Sequence, residues 1–203
     1  TRNGETFACP GDACAVPLLE GMNAFTFWAI SSWGDTSRRG TASGMLDSQA
    51  PVISGAISGI AGDNGWFVSD VAFSASASDP SPGSGVWGLE ASLDGGAWSA
   101  YTGPLTFSDG GYTVVMRAYD AASNIDTQTQ VIHIDTQPPT VNLTASGEFC
   151  PGCGDLLAVT FEVTDSLSGI AGWELSADGV EISSGAEGTS QTLMWDGSGL
   201  PGG

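Results

Sequence analysis

The sequence predicts an all-β chain in which antiparallel β-sandwich units follow one another in tandem. Short segments alternate apolar and polar residues, as half-buried strands do, and Gly or Pro interrupts most windows in which a helix could form. The chain also contains an internal repeat. Residues 21–35 resemble residues 110–124, and in both copies the first glycine lies eight residues before an alanine. A proline-containing segment follows each copy, at 46–51 and 134–139, which gives a period of about 88 residues.

The repeat divides the 203 residues into one complete unit and two incomplete ones. Residues 1–46 form the C-terminal part of a first unit, residues 47–135 a complete second unit, and residues 136–203 the N-terminal part of a third. The complete unit carries six strand signals at a spacing of roughly ten residues, which is typical of an antiparallel sandwich. These signals are 52–57, 71–77, 87–93, 105–107, 112–119 and 129–134, and the first unit adds 25–30 and 40–46.

The charge is strongly negative, with 23 acidic residues, four arginines and a formal net charge of −19. A surface that binds nucleic acid needs clustered cations, so this balance argues against a nucleic-acid partner and disfavours anionic membranes. No apolar run approaches the roughly 20 residues of a membrane span. Two interpretations of the acidic residues remain open. They keep an extracellular surface soluble by mutual repulsion, or some of them bind divalent cations.

The four cysteines form two local pairs, Cys9 with Cys14 and Cys150 with Cys153. Each pair flanks a Pro-Gly sequence, so a disulfide would close a tight loop, and this favours an oxidising compartment. A zinc site made from both pairs, or a thioredoxin-like redox role for the second pair, remains an alternative.

The inventory of side chains predicts that the chain is not an enzyme. Its single histidine, His133, alternates with two isoleucines on a predicted strand, which favours an exposed or half-buried strand residue over a general base. The serines lack both a base and a strained Gly-x-Ser-x-Gly turn. No cofactor is required by any motif in the chain.

Calcium is the one cofactor that the sequence favours. Asp120, Asn124 and Asp126 are spaced as i, i+4 and i+6 on one loop, and Asp79 ends a strand expected at the same end of the sandwich. Asp47 and Asp135 lie at the unit junctions, where hard oxygen ligands would stiffen a hinge. The alternative is that Asp and Asn serve here only as turn formers.

Tryptophan positions suggest surfaces for partners. Trp66, Trp98 and Trp195 belong to repeated motifs and are predicted to fill cores or brace hairpins. Four further tryptophans are candidates for contacts between domains or with a cell-surface glycan or protein: Trp28, Trp33, Trp87 and Trp173.

The middle unit resembles bacterial immunoglobulin-like (Ig-like) repeats of secreted and surface proteins. The segments that carry this resemblance are Gly65–Val71, Ser84–Val86, Ser92–Trp98, Tyr101–Pro104 and Ala118–Asn124. It departs from the usual Ala-Gly-Asn turn of the family at 122–124, where it has Ala-Ser-Asn. The first unit resembles the Ig-like accessory domain of glucodextranase through 16–18 and 20–23. The third is similar to Ig-like domains of the flagellar-hook-cap type through 195–197.

The resemblance implies Ig-like sandwiches in series outside a bacterial cell, without catalytic residues. The resulting hypothesis is a non-catalytic stalk, spacer or adhesin repeat of a larger extracellular or surface protein, whose partners are neighbouring Ig-like domains. One alternative is a subunit of an extracellular filament that assembles head to tail by strand complementation, since the two end units are roughly complementary. The other is a carbohydrate-binding accessory region of a secreted polysaccharide-active enzyme, which tryptophans in line on one sheet would favour.

Overall fold

The structure is a computed structural model that describes residues 1–7, 15–147, 156–186 and 190–196. Fifteen strands and no helix occur within these ranges, so the all-β prediction is confirmed for them. It follows that the described residues contain no helix long and apolar enough to cross a bilayer. Most strand pairs are antiparallel, and the sheets are compatible with β-sandwich architecture.

The first two strands, β1 (Gly21–Phe27) and β2 (Gly40–Leu46), form an antiparallel hairpin from Gly21↔Leu46 to Phe27↔Gly40. The start of β1 lies four residues before the predicted 25–30. The reason is Asn23, which is completely buried and exchanges hydrogen bonds with the backbone of Leu19 at 2.9 and 2.7 Å. Because its polar groups are hydrogen-bonded, Asn23 can be buried within β1. A pattern of apolar alternation does not include an Asn, so it places the start of this strand too late.

Eight strands make up the middle of the chain. Five of them form a sheet in the order β4-β10-β9-β6-β7, and three form a sheet in the order β3-β5-β8. Strand β4 runs parallel to the end of β10, pairing Trp66 with His133, whose rings lie 5.2 Å apart. The eight strands are β3 (Val52–Ser58), β4 (Trp66–Phe67), β5 (Val71–Ser78), β6 (Val86–Leu93), β7 (Ser99–Ala100), β8 (Leu105–Phe107), β9 (Gly110–Asp120) and β10 (Ile125–Ile134).

Both of these sheets contribute a buried apolar face. In β9 every second residue from Val114 to Ala118 is 0–1% exposed, and Val71 and Phe73 of β5 are 1% and 2% exposed. This period of two is what a half-buried strand requires, because successive side chains point to opposite faces. Ile132 and Ile134 continue the pattern in β10. The side chains that the sequence predicted to face inward in these strands are therefore the ones buried in the core.

The opposite face of β6 and β9 carries a charged and aromatic cluster. The Arg117 guanidinium lies 2.5 Å from the Glu90 carboxylate on the neighbouring strand and 4.3 Å from the centre of the Trp98 ring. Beside it, Tyr119 lies over Gly88, where an added Cβ would collide with the ring. Cross-strand pairs of this kind stabilise the sheet on its solvent side.

The last part of the chain repeats the order of the three-stranded sheet. Strands β11, β12 and β15 lie side by side as β3, β5 and β8 do, and β13 and β14 form a separate antiparallel hairpin. Val159, Phe161 and Val163 of β12 are 4–6% exposed. The strands are β11 (Thr140–Ser146), β12 (Leu157–Thr164), β13 (Trp173–Ala177), β14 (Val180–Gly185) and β15 (Ser190–Trp195).

Contacts between Cα atoms group the chain into two compact units. The first comprises Thr1–Ser58, Ala72–Thr106 and Tyr112–Ile132, and the second comprises Gly59–Val71, Phe107–Gly111 and His133–Gly203. These boundaries do not coincide with the three repeat units 1–46, 47–135 and 136–203. The division into tandem Ig-like domains stays a prediction.

Candidate metal centre at a strand-end carboxylate cluster

Three strand ends in the first compact unit bring three carboxylates together. Asp47 follows β2, Asp79 follows β5, and Asp120 is the last residue of β9. One carboxylate oxygen of each lies within 4.8 Å of the others, and no other described residues form such a group of three or more. We call these three residues the carboxylate cluster. The sequence predicted each of them as a metal ligand, and the structure places them in one group.

The three members differ in burial and in hydrogen bonding. Asp120 is 2% exposed, whereas Asp47 and Asp79 are half-buried. Oδ1 of Asp79 is buried and has no hydrogen-bond partner among the described residues. An ionised carboxylate oxygen that has lost its water without gaining a donor is costly to bury, and a cation would satisfy it.

Asn124 acts in the structure as a donor rather than a ligand. Its side-chain amide nitrogen donates to Oδ2 of Asp120 at 2.8 Å and to the backbone oxygen of Asp47 at 3.1 Å. Its backbone amide donates to Oδ1 of Asp120 at 2.8 Å. Asn124 therefore holds Asp120 in place and ties it to Asp47. Of the other predicted ligands, Asp126 lies half-buried on β10 outside the carboxylate cluster, and Asp135 belongs to the second compact unit.

Asp47 is fixed by the loop that follows β5. Its Oδ2 accepts a hydrogen bond from the Ser84 amide at 2.7 Å, and its Oδ1 accepts one from the Gln49 amide at 3.1 Å. Hydrogen bonds from the Ser84 hydroxyl and amide, with a smaller contribution from the Gln49 amide, hold the pKa of Asp47 below its usual 3.8. The carboxylate is therefore ionised at neutral pH and suited to a cation.

Asp135 repeats this arrangement in the second compact unit. Its Oδ1 accepts from the Gln137 amide and its Oδ2 from the Ser168 amide, both at 3.0 Å. The Ser168 side chain is the largest of the hydrogen-bonding contributions that lower the pKa of Asp135. Asp165, the counterpart of Asp79, accepts from the Gly169 amide at 2.9 Å. We call Asp47 and Asp135, with these amide contacts, the aspartate latches.

Ser84 and Ser168 were not predicted as functional residues. The signal for them was present, because a Ser-Gly pair recurs at 84–85 and 168–169 and an Asp-x-Gln at 47–49 and 135–137. What the sequence did not show is that the second motif accepts hydrogen bonds from the first. That pairing depends on a loop more than 30 residues away in each case and cannot be derived from local spacing.

The chemistry of the carboxylate cluster suits a hard divalent cation. Calcium takes six to eight oxygen ligands at about 2.3–2.6 Å, so two oxygens on one ion are at most about 5 Å apart. Carboxylate oxygens within 4.8 Å of one another meet that limit. The three acidic groups supply charge, and water or backbone oxygens would supply the remaining ligands. The described residues therefore fit calcium better than a soft metal that prefers sulfur or imidazole.

The four candidate partner-contact tryptophans lie in different surroundings. Trp33 and Trp87 are 90% and 75% exposed. Trp28 is half-buried, with the Arg39 guanidinium 5.0 Å from its ring centre. Trp173 is half-buried and packs against Phe161, with 4.6 Å between the ring centres. Trp33 and Trp87 thus remain available to a partner in the described structure, whereas Trp173 belongs to a local apolar cluster.

The predicted disulfide partners Cys9, Cys14, Cys150 and Cys153 lie outside the described residues. His133 is exposed on β10 and its ring packs against Trp66. Comparison with known proteins finds no family model that matches the chain. It finds no curated protein with detectable sequence similarity either.

Proposed function

We propose that the chain is a non-catalytic structural segment of a larger extracellular bacterial protein, a stalk, spacer or adhesin repeat built from Ig-like sandwiches in tandem. The observation that carries this proposal is the pair of aspartate latches. At both predicted repeat boundaries the first residue after a strand accepts one amide two residues further along the chain and one amide of a loop more than 30 residues away. A spacer of defined geometry needs the same hydrogen-bonded contact at each successive junction, and the two aspartate latches provide it.

The linkers themselves add stiffness. Prolines follow each latch, at position 51 and at positions 138 and 139. Proline fixes φ and removes an amide donor, so the segment after each latch has few accessible conformations. The latch restrains one end of this segment and the proline restrains the other.

We further propose that the carboxylate cluster binds calcium and thereby rigidifies the first junction. The three carboxylates place negative charge at one end of the unit, and the chain contains no lysine that could neutralise it. An extracellular location supports the proposal because calcium is abundant there and modules of this kind bind it weakly. The alternative is that Asp120 and Asp79 serve only as turn and strand-end residues.

Immunogold labelling of intact source cells with antibodies against the full chain tests the proposed location and role. We expect label on extended material outside the cell envelope, lost after external protease treatment. Label that appears only after permeabilisation would refute the proposed location. Binding of calcium is tested separately, by the melting experiment described in the Discussion.

A further inference from the structure

A tight turn inside the described range 15–147 carries an exposed asparagine. The Trp66 amide donates to the Asp63 oxygen at 3.0 Å and closes the turn. Between them, Asn64 and Gly65 have φ of 52° and 83°. Positive φ at both central residues defines a type I′ turn, for which Asn-Gly is a preferred sequence. The side chain of Asn64 and the backbone amide of Gly65 make no hydrogen bond to any described residue.

A second Asn-Gly turn holds its asparagine in place. Asn3 and Gly4 have φ of 46° and 93°, and both are exposed. The amides of the flanking Arg2 and Glu5 each donate to the other residue's oxygen at 2.8 Å. The Asn3 side chain accepts the Ala24 amide at 2.9 Å, and the Asn3 amide donates to the Ala24 oxygen at 3.0 Å. The two turns therefore share their central sequence and backbone conformation, but only Asn3 is restrained by a neighbouring strand.

An asparagine followed by glycine reacts with its own backbone without an enzyme. The Gly65 nitrogen forms a bond to Cγ of Asn64, and the side-chain NH2 takes up the proton of that amide and leaves as ammonia. Water then opens the resulting five-membered imide at either carbonyl. One product is aspartate, and the other is isoaspartate, in which the backbone runs through Cγ. Glycine favours the reaction because it has no Cβ to hinder its nitrogen.

The closed turn does not supply the conformation for ring closure. The Gly65 nitrogen reaches Cγ only after ψ of Asn64 has rotated away from its value in a type I′ turn, so the reaction proceeds from a locally opened turn. Opening at Asn64 breaks the hydrogen bonds of the turn, whereas opening at Asn3 also breaks its two bonds to Ala24. Two such bonds lower the population of the open turn by about 5- to 150-fold. Asn64 should therefore react faster than Asn3 by this factor.

The turn at Asn64 supports a strand that is bonded to the second aspartate latch. Strand β4 follows the turn directly and pairs with the end of β10 through Phe67↔Ile134. The Phe67 oxygen accepts the Asp135 amide at 2.9 Å. An isoaspartate adds one carbon atom to the backbone at the centre of the turn. The spacing that closes the turn and positions β4 is then lost.

We propose that Asn64 is a site of spontaneous deamidation and isomerisation, and that the change weakens the attachment of Asp135 to β4. The only co-reactant is water, so the second latch loosens as the protein ages. The first latch, in which Asp47 accepts the Ser84 amide, lies in the other compact unit and serves as an internal reference. The proposal does not rest on the proposed function, because the reaction and the bond to Asp135 are the same in any location.

Peptide mapping of the full chain by mass spectrometry tests the proposal. The folded protein is kept at mildly alkaline pH and sampled over several weeks. Asn64 and Asn3 are followed in the same digest by the mass change from NH2 to OH, and isoaspartate is identified with an isoaspartyl methyltransferase. Asn64→Gly is the matched control, because Gly-Gly also suits a type I′ turn but has no side-chain amide. The chain unfolded in guanidinium chloride gives the rates of the two sequences without structure.

We expect Asn64 to convert about 5- to 150-fold faster than Asn3 in the folded chain, and the two to convert at comparable rates in the unfolded chain. Hydrogen exchange of the Asp135 amide should be faster in aged than in fresh protein. Exchange of the Ser84 amide should not change, and aged Asn64→Gly should match fresh protein at both amides. Conversion of Asn3 as fast as Asn64 in the folded chain would overturn the proposal. So would an unchanged Asp135 exchange rate once Asn64 is converted, or an Asn64 that stays intact while the unfolded chain converts fully.

Discussion

Calcium should raise the melting temperature of the chain, and Asp79→Asn should abolish that effect. Three carboxylates that each offer one oxygen supply at most half of the six to eight oxygens that calcium takes, so we expect the affinity of weak extracellular modules, with Kd of about 10⁻⁴–10⁻³ M. At about 10 mM calcium, mass action then stabilises the folded state by about 1.4–2.7 kcal/mol. For a cooperative unit of roughly 100 residues, whose unfolding entropy is about 0.21 kcal/mol/K, this raises Tm by about 7–13 °C.

Differential scanning calorimetry in calcium and in chelator measures this shift, with magnesium as the ion control. Asp79 is the informative site, because its buried oxygen has no donor to lose and the substitution removes one of three like charges. Without calcium, Asp79→Asn should therefore melt no lower than the unsubstituted chain. Asp126→Asn is the matched control, since Asp126 is half-buried but outside the carboxylate cluster. Equal melting temperatures in calcium and chelator would refute the calcium site, and an equal loss of response in both variants would refute its location.

Three further predictions concern the latches and the sheets. The lowered pKa values of Asp47 and Asp135 mean that their stabilisation is complete above the unfolded value of 3.8 and is lost as pH falls through the still lower folded values. Asp→Asn at both positions should therefore flatten the fall of Tm below pH 4, and an unchanged profile would contradict the latches. Arg117→Lys keeps the charge but loses the planar contact with Trp98, and should lower the free energy of unfolding by about 0.5–1 kcal/mol in urea titrations. Met116→Ala, at a side chain 1% exposed, should cost about 2–5 kcal/mol in the same assay, and a cost below about 1 kcal/mol would argue against its place in the core.

The strands with a strong apolar alternation were predictable from the sequence. Val71–Ala77 and Leu105–Phe107 were predicted within one residue of the observed β5 and β8. The two-residue strands β4 and β7 were missed, because a pair of residues carries no period to detect. Strand β10 begins at Ile125 rather than at the predicted Thr129. The polar residues after Ile125 belong to the strand because their backbone is hydrogen-bonded to the neighbouring strand, and not because their side chains are buried. No apolar alternation therefore marks them in the sequence.

The carboxylate cluster was only partly predictable. Asp47 was named because it lies at a unit junction, Asp79 because it ends a strand, and Asp120 because it shares a loop with Asn124 and Asp126 at metal-ligand spacing. The role of Asn124 was not predictable, because an amide side chain can offer an oxygen to a metal or a proton to a carboxylate. Only the position of its nitrogen, 2.8 Å from Asp120 and 3.1 Å from Asp47, shows that it donates.

The latches also bear on how a sequence with this internal repeat is copied and recombined. Asp47 is joined covalently to the end of β2, yet its carboxylate is held by Ser84, 37 residues further along the chain. A gene duplication whose breakpoint falls just before this aspartate carries the residue together with the loop that binds it. A breakpoint a few residues later leaves the aspartate on the preceding unit, which still supplies the acceptor when that unit ends in Asp-x-Gln, as residues 135–137 do. Recombination between repeats should therefore be tolerated wherever this spacing is kept, and the latch should be lost where a unit without the aspartate is placed upstream.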